Sequence, residues 1–95
     1  MSCKKKNAEK YYKEFKNFSI KIPWDCFVYI LKNFLGFEMV KKSGSKRLFI
    51  KENKRFTVDE PHGRGDRYVD KFGRRRAITQ IESLGIDIKK GETKE

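Results

Sequence analysis

The chain is poor in the residues that usually carry metal, redox or hydrolytic chemistry. It has one histidine, two cysteines, two prolines and one tryptophan in 95 residues. Cys3 and Cys26 are too few for a disulfide framework and lack the paired spacing of a zinc site. Cys26 lies in an apolar run and reads as core, whereas Cys3 sits in what reads as a frayed end. No run approaches the roughly 18–20 apolar residues needed to span a bilayer. The first residues, Met1 to Lys6, lead into charged sequence and not into the apolar core of a secretory leader. These absences lead us to expect no metal, no cofactor and no membrane association, and a reducing cytoplasm as the working compartment. Acidic residues are also scarce: 13 Asp and Glu stand against 24 Lys and Arg, a formal charge of +11. Such a surface repels itself until an anion neutralises it, and nucleic acid or an acidic protein is the expected partner.

The apolar residues fit one core, as expected for a chain slightly shorter than the common domain size of about 100–150 residues. Residues 1–21 form a basic-aromatic arm. Tyr11, Phe15 and Phe18 are spaced for one face of a helix running from Ala8 to Phe18, and the arm is expected to dock on the core. From Pro23, which suits a helix start, Trp24, Phe27, Val28, Leu31, Phe34 and Leu35 make an amphipathic stripe that Gly36 ends. Three alternating strands follow, at Phe37–Lys42, Arg47–Lys51 and Arg55–Asp59. The links Ser43-Gly44-Ser45 and Glu52-Asn53-Lys54 are short enough for an antiparallel meander. A surface loop, Pro61 to Asp70, precedes a last helix on Ala77, Ile78, Ile81 and Leu84. Asp70 is its expected cap and Gly85 its stop. The predicted fold is α+β: an α-β-β-β-α domain over residues 22–86, with two helices on one face of a three-stranded antiparallel sheet. The N-terminal helical segment is an addition to it, and residues 87–95 are expected to be a charged, disordered tail.

All seven arginines fall between Arg47 and Arg76, whereas the N-terminal arm uses only lysine. Arginine recognises phosphate through two parallel hydrogen bonds and stacks on bases; lysine acts as a point charge. Arg74, Arg75 and Arg76 open the last helix, where cations oppose the macrodipole. Together with Arg64, Arg47 and the phosphate-accessible turn Gly44-Ser45-Lys46, they are the expected RNA-binding residues. His62, beside Pro61, is the one side chain able to move protons near neutral pH without a strongly shifted pKa.

From Trp24 to Ile86 the chain resembles the HicA toxins, small bacterial mRNA interferases with a double-stranded-RNA-binding-domain-like fold. The matching features are the helix ending in Leu35-Gly36-Phe37, Gly44-Ser45 before an aromatic-bearing strand, Glu60-Pro61-His62-Gly63, and the helix ending in Leu84-Gly85-Ile86. The resemblance implies metal-independent cleavage of mRNA by attack of a 2′-hydroxyl on the adjacent phosphate, and an antitoxin protein as partner. The family's Gly-Ser-His carries its catalytic histidine where this chain has Lys46. A lysine of ordinary pKa is no general base at neutral pH, but it can stabilise a pentacovalent phosphate. The expected catalytic pair is therefore His62 with Lys46. Two further readings stay open: a non-catalytic RNA-binding module of the same fold, and a basic adaptor for an acidic protein.

Overall fold

Pro23 opens α2 (Trp24–Tyr29) from the N-cap position, and the helix ends in one wide π-type turn, Ile30–Phe34. Gly36, at φ +78°, then reverses the chain, and the Phe37 amide reaches back to the Leu31 carbonyl at 2.8 Å. That left-handed step is the one the sequence assigns to Gly36. The computed structural model describes residues 3–63, 65 and 67–88. Its further elements are α1 (Lys5–Lys13), β1 (Glu38–Lys41), β2 (Lys46–Lys51), β3 (Lys54–Asp59) and α3 (Lys71–Ser83).

The three strands form one antiparallel sheet in the order β1-β2-β3, and the predicted α-β-β-β-α order with an added N-terminal helix is observed. Register follows side-chain alternation. Met39 pairs with Phe49 and Phe49 with Phe56, so these side chains share the covered face. Phe49 and Phe56 stack at 5.3 Å, and Phe27 of α2 meets Phe49 edge-on at 6.0 Å. Val58, on the same face of β3, is fully buried and lies under Gly73 of α3. On the opposite face Val40 is exposed, and Leu48 and Ile50 are only half-buried. The sheet therefore has one covered side and one open side.

The arm docks, but not as a single helix through Phe18. α1 stops at Lys13, and the Asn17 side chain turns the chain by accepting from the Ser19 amide. Asparagine competes with helix in this way through its own side-chain oxygen. Phe15 is thereby delivered to the core, where it stacks on Phe27 at 5.8 Å, while Phe18 is left exposed. Complete burial of such a ring contributes about 1.5–3 kcal/mol.

Two further expectations are corrected. Cys3 is not a frayed thiol: it is disulfide-bonded to Cys26 across a Cα separation of 5.0 Å. Docking of α1 against α2 brings the two residues together, which their spacing in the chain does not reveal. Nor does a solvated tail begin at Asp87. Ile88 is buried, and the Asp87 carboxylate acts on Tyr12 of α1. Burial, and secondarily that carboxylate, pushes the Tyr12 hydroxyl pKa above its ordinary value. The rest of the expected tail, residues 89–95, lies outside the described residues. Among the described residues no helix is long and apolar enough to cross a membrane.

Candidate nucleic-acid interface

The link between β1 and β2 is a tight turn closed from both sides. The Lys42 amide donates to the Lys46 carbonyl at 2.9 Å, and the Lys46 amide donates to that of Ser43 at 3.2 Å. Gly44 sits at φ +62°, and a Cβ built there meets nothing within 4 Å. Glycine is thus required by the backbone and not by crowding, and the outer side of the turn is open to a ligand. Lys46 follows with an exposed side chain at the first position of β2.

The antiparallel ladder carries the far end of β3 to this turn. Lys46 pairs with Asp59, and the next step continues it, with the Glu60 amide donating to the Ser45 carbonyl at 2.9 Å. Pro61 and His62 leave from that point. His62 is exposed and two residues beyond the last ladder bond, about 7 Å of extended chain. The sequence-predicted Gly44, Ser45, Lys46 and His62 are therefore gathered at one end of the sheet.

Arg47 is at the same end but is already engaged. Its Nε donates to Glu60 Oε1 at 2.9 Å, and its Nη1 donates to the carbonyls of Gly44 and Lys46, each at 3.0 Å. The other oxygen of Glu60 accepts from Arg67 at 2.8 Å. One carboxylate thus holds two guanidiniums, and with its side chain only 13% exposed Arg47 braces the turn. Sequence reasoning names Glu60 only as part of Glu60-Pro61-His62-Gly63 and gives neither it nor Arg67 a role. A glutamate placed beside a strand exit carries no local mark of the two arginines it will bridge.

Arg74 departs furthest from expectation. It is 2% exposed, and its guanidinium donates to the carbonyls of Ile20, Glu14 and Phe15 at 2.8, 3.0 and 2.6 Å. It also lies over the Phe18 ring at 4.5 Å. Burial lowers its pKa from the ordinary arginine value. With the Asn17 carbonyl at 3.4 Å as a fourth acceptor, this guanidinium is spent on the chain and not on RNA; it ties the arm to α3. Helical geometry explains the split among the three arginines. Arg74 falls on the inward side with Gly73, Ala77 and Ile81, while Arg75 and Arg76 face outward.

No family of known proteins, no curated protein and no solved structure matches the chain.

Arg75 and Arg76, with Thr79 and Gln80, form one wall of a shallow groove beside the open face of the sheet. Leu48, Arg55 and Thr57 form the other. The Nε of Arg76 donates to the Thr57 carbonyl at 3.0 Å, which closes the outer edge of β3 and fixes that guanidinium at the groove. Arg55 escapes sequence reasoning because alternation marks only which side of a strand a residue takes, not what stands next to it. Arg64 lies outside the described residues. Among those described, no group of three or more His, Cys, Asp or Glu side chains could hold a metal ion.

Proposed function

We propose that the chain is an RNA-binding protein of the HicA toxin type, a metal-independent endoribonuclease acting on mRNA. The observation that carries this reading is the ladder running past Lys46–Asp59 to Ser45–Glu60, since it sets the root of Pro61-His62 beside the Gly44-Ser45-Lys46 turn. His62 then takes the proton from a ribose 2′-hydroxyl. The oxygen attacks the adjacent phosphorus, and Lys46 balances the charge that builds on the phosphoryl oxygens. The bond from phosphorus to the 5′-oxygen breaks and that oxygen takes a proton from solvent, while His62 releases its own to solvent, leaving a 2′,3′-cyclic phosphate and a 5′-hydroxyl. Arg47, braced by Glu60, holds the turn in shape for this contact. The open turn at Gly44 supports close approach of a phosphate.

In this reading the protein works in the cytoplasm, where the Cys3–Cys26 pair is expected in its reduced form, and an acidic antitoxin covers the Lys46 turn and neutralises part of the +11 charge. Lys46 in place of the family's histidine favours the second reading, an RNA-binding module without catalysis.

Pure protein incubated with a mixed RNA pool separates the two. Cleavage that persists with chelator and is abolished in His62→Ala, with RNA affinity nearly intact, is the expected result. Wild-type cleavage by His62→Ala, or its arrest by chelator, rejects the mechanism. Binding without any cleavage assigns the non-catalytic role.

A further inference from the structure

A second anion-facing surface lies around the start of α3, apart from the turn that carries the proposed chemistry. Five large apolar side chains are exposed among the described residues, and Phe18, Ile20, Tyr68 and Phe72 are four of them, Phe72 at 59%. They are not scattered. Phe18 and Tyr68 line one hollow with Lys21 and Lys71, and Arg74 forms part of its wall. Phe72 follows Lys71 on α3, three residues before Arg75. Each ring has a cation near its face: Lys21 at 5.7 Å from Tyr68, Lys71 at 5.9 Å from Phe72, and Arg75 at 5.5 Å from Phe18.

Such a grouping has a cost if it serves only the fold. Apolar rings in water gain nothing from burial, and exposed cation–π contacts return only about 0.5–1 kcal/mol each. Phe72 shows this most plainly. It lies off the Ala77/Ile81 stripe that packs α3, on the outward side shared with Arg75, Arg76 and Thr79, which leads to the groove beside Arg55. Tyr68 is held in place by backbone pairing: it bridges Pro23, the Trp24 amide donates to the Arg67 carbonyl, and the Val69 amide donates to that of Ile22. Its neighbour Arg67 binds Glu60, which links the hollow to the turn end of the sheet.

We infer that Phe18, Tyr68 and Phe72, interleaved with Lys21, Lys71 and Arg75, form a binding surface for single-stranded RNA. Unpaired bases stack on the rings and the backbone phosphates meet the cations. This deepens the proposed function and rests on its RNA-binding part, not on catalysis. Duplex RNA hides its base faces inside the helix and can use only the cations. An acidic peptide likewise needs only the cations and would leave three rings in water. The surface thus assigns the strandedness of the RNA: an unpaired tract flanking the site of attack.

The test is binding of the full chain to short labelled RNA carrying 2′-O-methyl groups, which cannot be cleaved by its own 2′-hydroxyls. Single strand and matched blunt duplex are titrated against wild type, Phe72→Ala, Tyr68→Ala, Tyr68→Trp and Lys46→Ala. Thermal melts confirm that each variant is folded. Loss of either ring is expected to weaken the single strand about fivefold or more, from the stacking worth of one base, with duplex affinity nearly unchanged. Tyr68→Trp is expected to retain the wild-type affinity. Single-strand affinity that falls only in Lys46→Ala overturns this surface and leaves the proposed function standing. Failure of wild type to bind either RNA overturns both. Ring variants that keep their RNA affinity but lose adsorption to phosphatidylserine vesicles would assign the surface to membrane and overturn the inference.

Discussion

Arg74 shows how one side chain can be read from sequence as a ligand contact and yet be a structural tie. A guanidinium carries five donors in a rigid plane, which lets it satisfy several chain carbonyls that no helix or strand can reach. The carbonyls of Glu14, Phe15, Asn17 and Ile20 belong to an irregular turn beside α3, and each accepts from Arg74. Arg74→Ala strands those carbonyls, and hydrogen bonds to a charged donor contribute about 1.5–3 kcal/mol each. We expect a loss of about 3 kcal/mol or more in urea unfolding. Arg74→Lys should recover little of it, since one ammonium cannot span the four acceptors. Arg75→Ala, one position along and exposed, should stay within about 0.5 kcal/mol of wild type. Equal effects of the two alanine substitutions would refute the tie.

At the scale of elements, two contacts decide how the helices sit. The first is the approach of α3 to β3 at Gly73. A Cβ at that position would meet Val58 Cγ1 at 2.6 Å and Asp70 Oδ1 at 2.9 Å. Asp70 cannot move away freely, because it caps α3 by accepting from the Gly73 amide at 3.2 Å. Alanine in a helix is ordinarily preferred to glycine by about 1 kcal/mol. Here the clash should outweigh that gain, and Gly73→Ala should destabilise by about 1–3 kcal/mol. A raised melting temperature would contradict the close approach. The second contact is the Cys3–Cys26 bond, which closes a sequence separation of 23 and ties the residues just before α1 to α2. Removing a disulfide over a loop of this size costs about 2–4 kcal/mol. Dithiothreitol, or Cys3→Ser with Cys26→Ser, should therefore lower the melting temperature. The helix and sheet signal in circular dichroism should survive, since Phe15, Phe27 and Ala8 still pack.

These elements also mark where reading the sequence succeeds. α2, the three strands and α3 are legible because each follows one period, and Asp70, Gly36 and Gly85 punctuate them in the expected places. The meander alone is enough to bring the Lys46 turn and His62 to one end of the sheet. What is not legible is what tertiary contact decides. The Cys3–Cys26 pairing, the inward turn of Arg74, the burial of Ile88 and the Arg47–Glu60–Arg67 bridge all depend on neighbours distant in the chain. Phe72 is the exception within reach, because helical spacing alone puts this large ring on the outward side of α3.

For the whole molecule, the question is how the +11 charge is divided between fold and function. Arg47 and Arg67 share Glu60, Lys16 pairs with Glu82, and Arg74 is buried, so these cations are committed to the protein. Lys46, Arg55, Arg75 and Arg76 remain exposed, two of them on α3 and one on the adjoining edge strand. Phosphates that meet them release counterions, so RNA affinity should fall steeply with salt, by a logarithmic slope of about 0.7 for each contact with a single strand. Replacing Arg75 and Arg76 together by alanine should weaken binding and flatten that slope by up to about 0.7 for each lost contact. Lys5→Gln with Lys6→Gln removes the same formal charge from exposed positions on α1, away from the groove. It should weaken binding only at low salt, through the long-range field, and leave the slope almost unchanged. Were the two pairs to flatten the slope equally, binding would follow net charge alone, and the groove beside α3 would have no claim to be where RNA lies.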